Sequence, residues 1–373
     1  MIFYYQQGEF VVNKKKNFIA LILCSSIFIN YANATDVPTL EQHIKVGDTK
    51  AQYELGLKYL NGEGVEINYL KGSVLVYASA LSQKNESLID PLHLSKAPLW
   101  QRYEIVRLGE QIARNPDEWK KLWVNTSVDE LNKLAKKGDA SALYHVGILS
   151  SSAEDAFKIF EQAAIKNNRE SQVVLAQLYD RGLGVERNDK KSFEWTQKAA
   201  EQGDVNSQMK MYRYYLGNFG DIVKIDYHKA SEWIQKAIDQ GDGDAMETKG
   251  WDYASGRNGI PKDINKGIEI YKKGLVAKLT INSVNFTDYN SLAYMYLKNN
   301  DKVKAWVLLQ MGKKVAAEMN TESILAEEDA DIFPVLSIKE NPNAKNVLST
   351  TEGQKAQQQL AALEKDPSSI AGW

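Results

Sequence analysis

Metal ligation, nucleophilic catalysis and phosphate binding each need particular side chains at particular spacings, and this chain of 373 residues offers few of them. Its four histidines, His43, His93, His145 and His228, are scattered. No two stand at the i, i+3 or i+4 spacing that would put both imidazoles on one helix face. The single cysteine, Cys24, falls in a segment expected to be removed, so no zinc site of ordinary spacing can be assembled. Asp239, Asp242 and Asp244 around Gly241 and Gly243 imitate a calcium loop, but the twelfth place counted from Asp239 is Gly250, which has no carboxylate. Gly62-x-Gly64 and Gly182-x-Gly184 copy part of a dinucleotide fingerprint, yet each follows a helical pattern and not a strand. No Gly-x-Ser-x-Gly elbow and no phosphate loop occurs. Glu327, Glu328, Asp329 and Asp331 could serve acid–base work only if a fold fixed their geometry, and a solvated helix face is their ordinary role. The expectation is a protein with no catalytic residue, no metal and no cofactor.

Composition narrows the partners. Lys and Arg number 46 against 48 Asp and Glu, a net charge of -2, with 43% hydrophobic residues. Such a balance supplies a core and gives no bulk attraction to nucleic acid. The N-terminus reads as a secretory signal: Lys14, Lys15 and Lys16 precede an apolar run from Phe18 to Ile29, and Ala32-Asn33-Ala34 offers a small-x-small cleavage site. The run falls short of the roughly 20 apolar residues that span a bilayer, and no second run follows, so no membrane insertion is expected after cleavage. Lipidation of Cys24 is the alternative, but Leu23 puts a bulky side chain where that signal wants a small one. Cleavage after Ala34 leaves a cysteine-free chain of net charge about -4, periplasmic or secreted, with no disulfide framework.

Stepping along the remaining sequence, a unit recurs. Gly-Asp occurs at Gly47-Asp48, Gly138-Asp139, Gly203-Asp204 and Gly241-Asp242, each followed four places after the Gly by a small residue: Ala51, Ala142, Ser207 and Ala245. Units without the dipeptide start in register at Ser171 and Ser291. Five places on from the small residue stand Gly56, Gly147, Ala176, Tyr212, Gly250 and Tyr296, and eight on stand Tyr59, Tyr179, Tyr215 and Tyr253. Offsets 0, 4, 5 and 8 share one stripe of a helix, which makes this the packing face of a first helix. A glycine turn follows, clearest at Asn61-Gly62-Glu63-Gly64-Val65 and Arg181-Gly182-Leu183-Gly184-Val185. Second helices then begin at Lys71, Asp155, Lys191, Lys229, Lys266 and Lys304. Their fifth residues, Leu75, Ile159, Trp195, Trp233, Ile270 and Leu308, are expected to plug the core of each hairpin.

Successive starts lie 36 and 38 residues apart, the period of a two-helix solenoid. The pattern small-x-x-x-Leu-Gly-x-x-Tyr, Gly-x-Gly-Val, Lys-Ala-x-x-Trp-x-x-Lys-Ala-Ala resembles the Sel-one-like repeat family, relatives of the tetratricopeptide repeats. Ser171–Asp204 and Ala51–Tyr77 carry the resemblance best, and it runs over about residues 37–315. It implies an all-α fold: a right-handed superhelical α/α solenoid of about six helix-turn-helix repeats. The first repeat would occupy 35–85, a helical insertion 86–137, the array 138–315 and a C-terminal cap or tail 316–373. Within the insertion, Leu99–Arg114 has helical spacing and Ser127-x-x-Glu130 reads as a cap; Thr350–Glu364 reads as one more helix.

The same resemblance implies a protein-binding scaffold whose concave side is lined by the first helices, at two and six places after each small residue. These are Tyr53 and Leu57, Tyr144 and Ile148, Val173 and Gln177, Met209 and Arg213, Glu247 and Trp251, Ala293 and Leu297. A protein partner is expected, a cell-envelope protein or a toxin. The compartment and fold also suit an immunity protein neutralising a type VI or contact-dependent antibacterial toxin. A cell-wall enzyme or enzyme accessory is the rival class, with the insertion and the tail as the places for a site.

Overall fold

The computed structural model describes residues 36–83, 97–281, 283–318 and 351–373. The expected signal segment 1–34 with Cys24, part of the expected insertion with His93, and the acidic run Glu327–Asp331 lie outside the described residues. Among the described residues every regular element is helical, and no helix is long and apolar enough to cross a membrane. The chain divides inside one helix into two compact units, one ending at Ser192 and the other beginning at Phe193.

The N-terminal unit holds α1 (Val37–Lys45), α2 (Thr49–Asn61), α3 (Tyr69–Ser82), α4 (Leu99–Arg114), two 3₁₀ turns (Pro116–Lys121 and Trp123–Asn125), α5 (Val128–Lys136), α6 (Ala140–Leu149), α7 (Ala153–Ile165), α8 (Arg169–Arg181) and the start of α9 (Asp189–Glu201). The C-terminal unit continues α9 and adds α10 (Val205–Tyr215), α11 (Tyr227–Asp239), α12 (Gly243–Ser255), α13 (Ile264–Thr280), α14 (Phe286–Lys298), α15 (Lys302–Glu318) and α16 (Thr351–Lys365). Consecutive helices pack as hairpins, α2 on α3, α6 on α7, α12 on α13 and α14 on α15, so the chain is an α/α solenoid.

Local chemistry explains the repeat. Each Gly-Asp is a turn and a cap in one: the Gly takes a positive φ of 82° to 88°, and the Asp side chain accepts backbone N–H bonds of the next first helix, as Asp139 does from Ala142 at 2.7 Å. Where the dipeptide is missing before α8, Asn167 adopts φ 67° and Asn168 supplies the cap at 2.8 Å from the Ser171 N–H. Ser127 caps α5, with the Glu130 N–H 3.2 Å away. In the α2–α3 hairpin a Cβ on Gly72 would come within 2.8 Å of the Gly56 carbonyl oxygen. Only glycines let those two backbones cross so closely.

The core differs from expectation by one residue. The fifth residue of the second helices is fully buried at Leu75 and Leu308 and just buried at Trp233, but Ile159, Trp195 and Ile270 are half-exposed. The sixth residue is buried in every copy: Val76, Phe160, Thr196, Ile234, Tyr271 and Leu309. Trp195 lies on the hairpin's flank, where Lys198 Nζ sits 4.0 Å over its ring, and Lys236 Nζ sits 3.8 Å over the ring of the buried Trp233. The recurring tyrosine eight places along the first helix has a matching role. The first lysine of the second helix lies over it in four hairpins: Lys71 over Tyr59, Lys191 over Tyr179, Lys229 over Tyr215 and Lys266 over Tyr253, at 4.3 to 5.3 Å.

Candidate interaction face

What a first helix offers a partner is whatever hairpin packing leaves uncovered. Offset two after the small residue is buried in five of the six first helices, at Tyr144, Val173, Met209, Glu247 and Ala293; Tyr53 alone is half-buried. Offset six is open: Arg213 is exposed, and Leu57, Gln177, Trp251 and Leu297 are half-buried, with Ile148 the one buried copy. Round the helix the two offsets differ by only about 40°. That rotation carries offset two onto the flank facing neighbouring helices. Tyr144 and Met209 are therefore buried, and Ile148, at offset six, is buried as well in the N-terminal unit, where α4 reaches α6. The accessible stripe runs through offsets three and six, in the C-terminal unit Lys210 and Arg213, Thr248 and Trp251, Tyr294 and Leu297.

In the N-terminal unit the covering element is α4, which packs along α3 and reaches α6. Its Gln101 Nε2 donates to the Ile148 carbonyl at 2.9 Å, and Trp100 Nε1 to that of Ser150 at 3.3 Å. Glu104, fully buried, accepts from Tyr144 Oη at 2.8 Å, Trp123 Nε1 at 2.7 Å and Arg107 Nε at 2.8 Å. Burial alone would raise this carboxyl's pKa, but the Arg107 bond and charge, with the Trp123 and Tyr144 bonds, outweigh it and hold the group below the usual carboxylate range. His145 stacks on Trp123 with ring centroids 4.3 Å apart, and burial drives its pKa down to about 4, so it is neutral at pH 7. This histidine is a packing residue.

The C-terminal unit carries the opposite arrangement. Lys278 of α13 is buried, and its Nζ lies 2.9 Å from Asp244 Oδ1, 3.1 Å from Glu247 Oε2 and 2.7 Å from Asp288 Oδ1. The place a cation would take between those carboxylates is thus filled by the chain's own ammonium. Burial first, then the neighbouring Asp288, pushes Glu247 up to about 8. Elsewhere Tyr212 Oη donates to Asp252 Oδ2 at 2.6 Å, tying α10 to α12. Lys249 Nζ donates to Ser231 Oγ at 2.7 Å, a nucleophile–base spacing. Both residues lie within helices α11 and α12, whose backbone amides are engaged in helical bonds.

The acidic residues that imitate a calcium loop have other work: Asp239 accepts from Gln235 at 2.8 Å, Asp242 caps α12, and Asp244 faces Lys278. Gly62 and Gly182 end α2 and α8 in the left-handed region. The glycine pairs are turn residues. Neither buried hub was legible from spacing: the residues that meet at Glu104 and Lys278 lie up to 40 and 34 positions apart and follow no repeat.

Five stretches match the model of the Sel1 repeat, at residues 49–72, 132–168, 169–204, 212–242 and 250–274. Among solved structures, a Sel1 repeat protein from Oxalobacter formigenes aligns at 23% identity over 62% of this chain and 99% of its own, with a TM-score of 0.44. A protective antigen of uropathogenic Escherichia coli strains, displaying an SLR fold, aligns at 19% identity over 87% of this chain and 74% of its own, with a TM-score of 0.45.

Proposed function

Because the chain belongs to the Sel1 repeat family, whose repeats are generally protein-interaction scaffolds and typically non-catalytic, we propose that it is an exported scaffold gripping a protein partner through the open stripe of its first helices. The observation that carries this reading is the stripe itself. Hairpin packing buries much of these helices, while Arg213, Trp251 and Leu297 at the sixth offset stay accessible. Aromatic and arginine side chains in that position are the residue types that anchor protein interfaces.

Export is supported by Lys14–Lys16, the apolar run and Ala32-Asn33-Ala34. N-terminal sequencing of the protein from a periplasmic extract should begin at Thr35; an unprocessed chain in the cytosol would overturn export. For the scaffold, a photo-crosslinking amino acid at position 213 should trap a protein partner in the native host, whereas the same group at position 198, on a second helix, should not. Equal trapping from both would remove the stripe as the contact. A trapped toxin whose activity falls on binding would make the chain an immunity protein; a trapped cell-envelope protein would rule that narrower form out.

A further inference from the structure

We propose that Ser231 of α11 and Lys249 of α12 form a nucleophile–base pair that takes an acyl group from a neutral, activated ester. Such a reactive serine stands beside the scaffold reading and does not depend on it. Two observations support the pair. First, both members break the repeat's own packing rule. Lys249 stands four places after the small residue of its first helix, where the other copies carry Leu55, Val146, Leu175, Met211 and Met295. It is buried there, as Leu55, Leu175, Met211 and Met295 are. Ser231 is the third residue counted from Lys229, a place held by Phe157, Phe193, Ile268 and Trp306 in four copies and by Ser73 in the other. A polar group set into an apolar place costs stability. These two meet, Nζ to Oγ, at 2.7 Å. Departures from a local rule that converge on one contact mark a site.

Second, the base is a buried lysine without a counter-ion. Among the described residues two lysines are buried, Lys249 and Lys278. Three carboxylates meet Lys278, whereas no described carboxylate forms an ion pair with Lys249, whose hydrogen-bond partner is Ser231 Oγ. The groups around Lys249 are Tyr253, its ring centroid 6.0 Å from Nζ, Asp252, which is bonded to Tyr212 and Asn258, and Lys266, which lies over Tyr253. Burial, with Lys266 adding to it, outweighs Tyr253 and Asp252 and lowers the amine's pKa. An amine that sheds its proton turns the bond round. Its lone pair then accepts from the Ser231 hydroxyl, and Oγ, on a half-buried residue, becomes the nucleophile. In the step, Oγ bonds to the acyl carbon as its proton passes to Nζ. The bond from that carbon to the leaving oxygen breaks, and Nζ returns the proton to the departing alcohol, so ester plus serine gives acyl-serine plus alcohol. A neutral ester suits the pair, because an anionic reagent would draw the proton back onto the amine.

Treating the full chain with p-nitrophenyl acetate and locating the acetyl groups by peptide mass spectrometry tests this. Ser231 should be acetylated at least about tenfold faster than the exposed Ser151, since a positioned general base contributes about 10²–10⁴ in rate. That rate should rise with pH and level off below 10.5, the ordinary lysine value. Lys249→Met, which puts the residue of Met211 and Met295 at the same place and so keeps the fold, should bring Ser231 down to the rate of Ser151. Lys249→Arg keeps a donor and a positive charge but does not give up its proton, and it should slow Ser231 to the same extent. Three results would each overturn the pair: Ser231 reacting no faster than Ser151, a rate that climbs past pH 10.5 without levelling, or the wild-type rate in Lys249→Met or Lys249→Arg.

Discussion

The two units bury mirror-image polar centres. In the N-terminal unit one carboxylate, Glu104, is surrounded by the donors Arg107, Trp123 and Tyr144. In the C-terminal unit one ammonium, Lys278, is surrounded by Asp244, Glu247 and Asp288. Both centres tie helices of the array together, yet their charge balance is opposite. Around Glu104 one buried negative charge meets Arg107, whose guanidinium is about a third exposed, and two neutral donors. Around Lys278 three carboxylates share one cation, and Glu247 Oε1 has no hydrogen-bond partner among the described residues. A hub of donors around an acid holds its acid ionised, while a hub of acids around one base must retain a proton. The same repeat scaffold thus yields two units with different sensitivities.

Breaking the lysine hub should cost most. Lys278→Met leaves the buried Glu247 and Asp288 and the part-exposed Asp244 facing one another, and the C-terminal unit should lose about 3–5 kcal/mol in urea denaturation. Glu104→Gln should cost less, about 1–3 kcal/mol, because the amide still accepts one bond and Arg107 can turn to water. If Glu104→Gln proves the costlier, the contrast between the hubs is wrong.

pH should separate the units further. Glu247 is raised in the fold, so its contribution is present below its unfolded value near 4.5 and is lost as pH rises through about 8. His145 and Glu104 are lowered, so their contributions are present above their unfolded values and are lost as pH falls, for His145 from about 6.5 toward about 4. Hydrogen exchange resolved along the chain should show α12–α14 loosening toward alkaline pH and α4–α6 loosening toward acid. Glu247→Gln should flatten the alkaline limb alone. Parallel pH profiles in both units would dissolve the comparison.

The smallest effects come from what the units share. Lys71→Ala in the N-terminal unit and Lys266→Ala in the C-terminal unit each remove a cation from a tyrosine face and should each lower the denaturation midpoint slightly and to a similar extent. Unequal losses at these equivalent sites, measured by chemical denaturation, would show that the repeat register differs between the units.

The register is legible in the sequence because it is local and periodic. Asp48, Asp139, Asp204 and Asp242 cap the helices that follow them, and the capping bonds span three residues. The crossing of Gly56 and Gly72 could be anticipated from small residues at fixed offsets. In α9 the buried residue is Thr196 and not the larger Trp195 beside it, so size does not mark burial there. A tryptophan on the flank, with Lys198 over its ring, has the same periodicity as one in the core. For Tyr144 and Met209 the difference is one of angle: a rotation of about 40° separates open from covered positions, and a pattern of residue types cannot resolve it. Ile148 stands at the open offset and is buried where α4 reaches α6.

Chain-local chemistry therefore determined the helices, their caps, their pairing and the repeat, since each depends on residues a turn or a hairpin apart. Only the tertiary structure decided that α4 closes over Tyr144 and Ile148, that Glu104 and Lys278 become buried hubs, and which side of each first helix is left open. Those outcomes depend on side chains brought together across 30 to 40 intervening residues. Their energies come from desolvation and charge, which depend on where the neighbours end up and leave no period in the sequence.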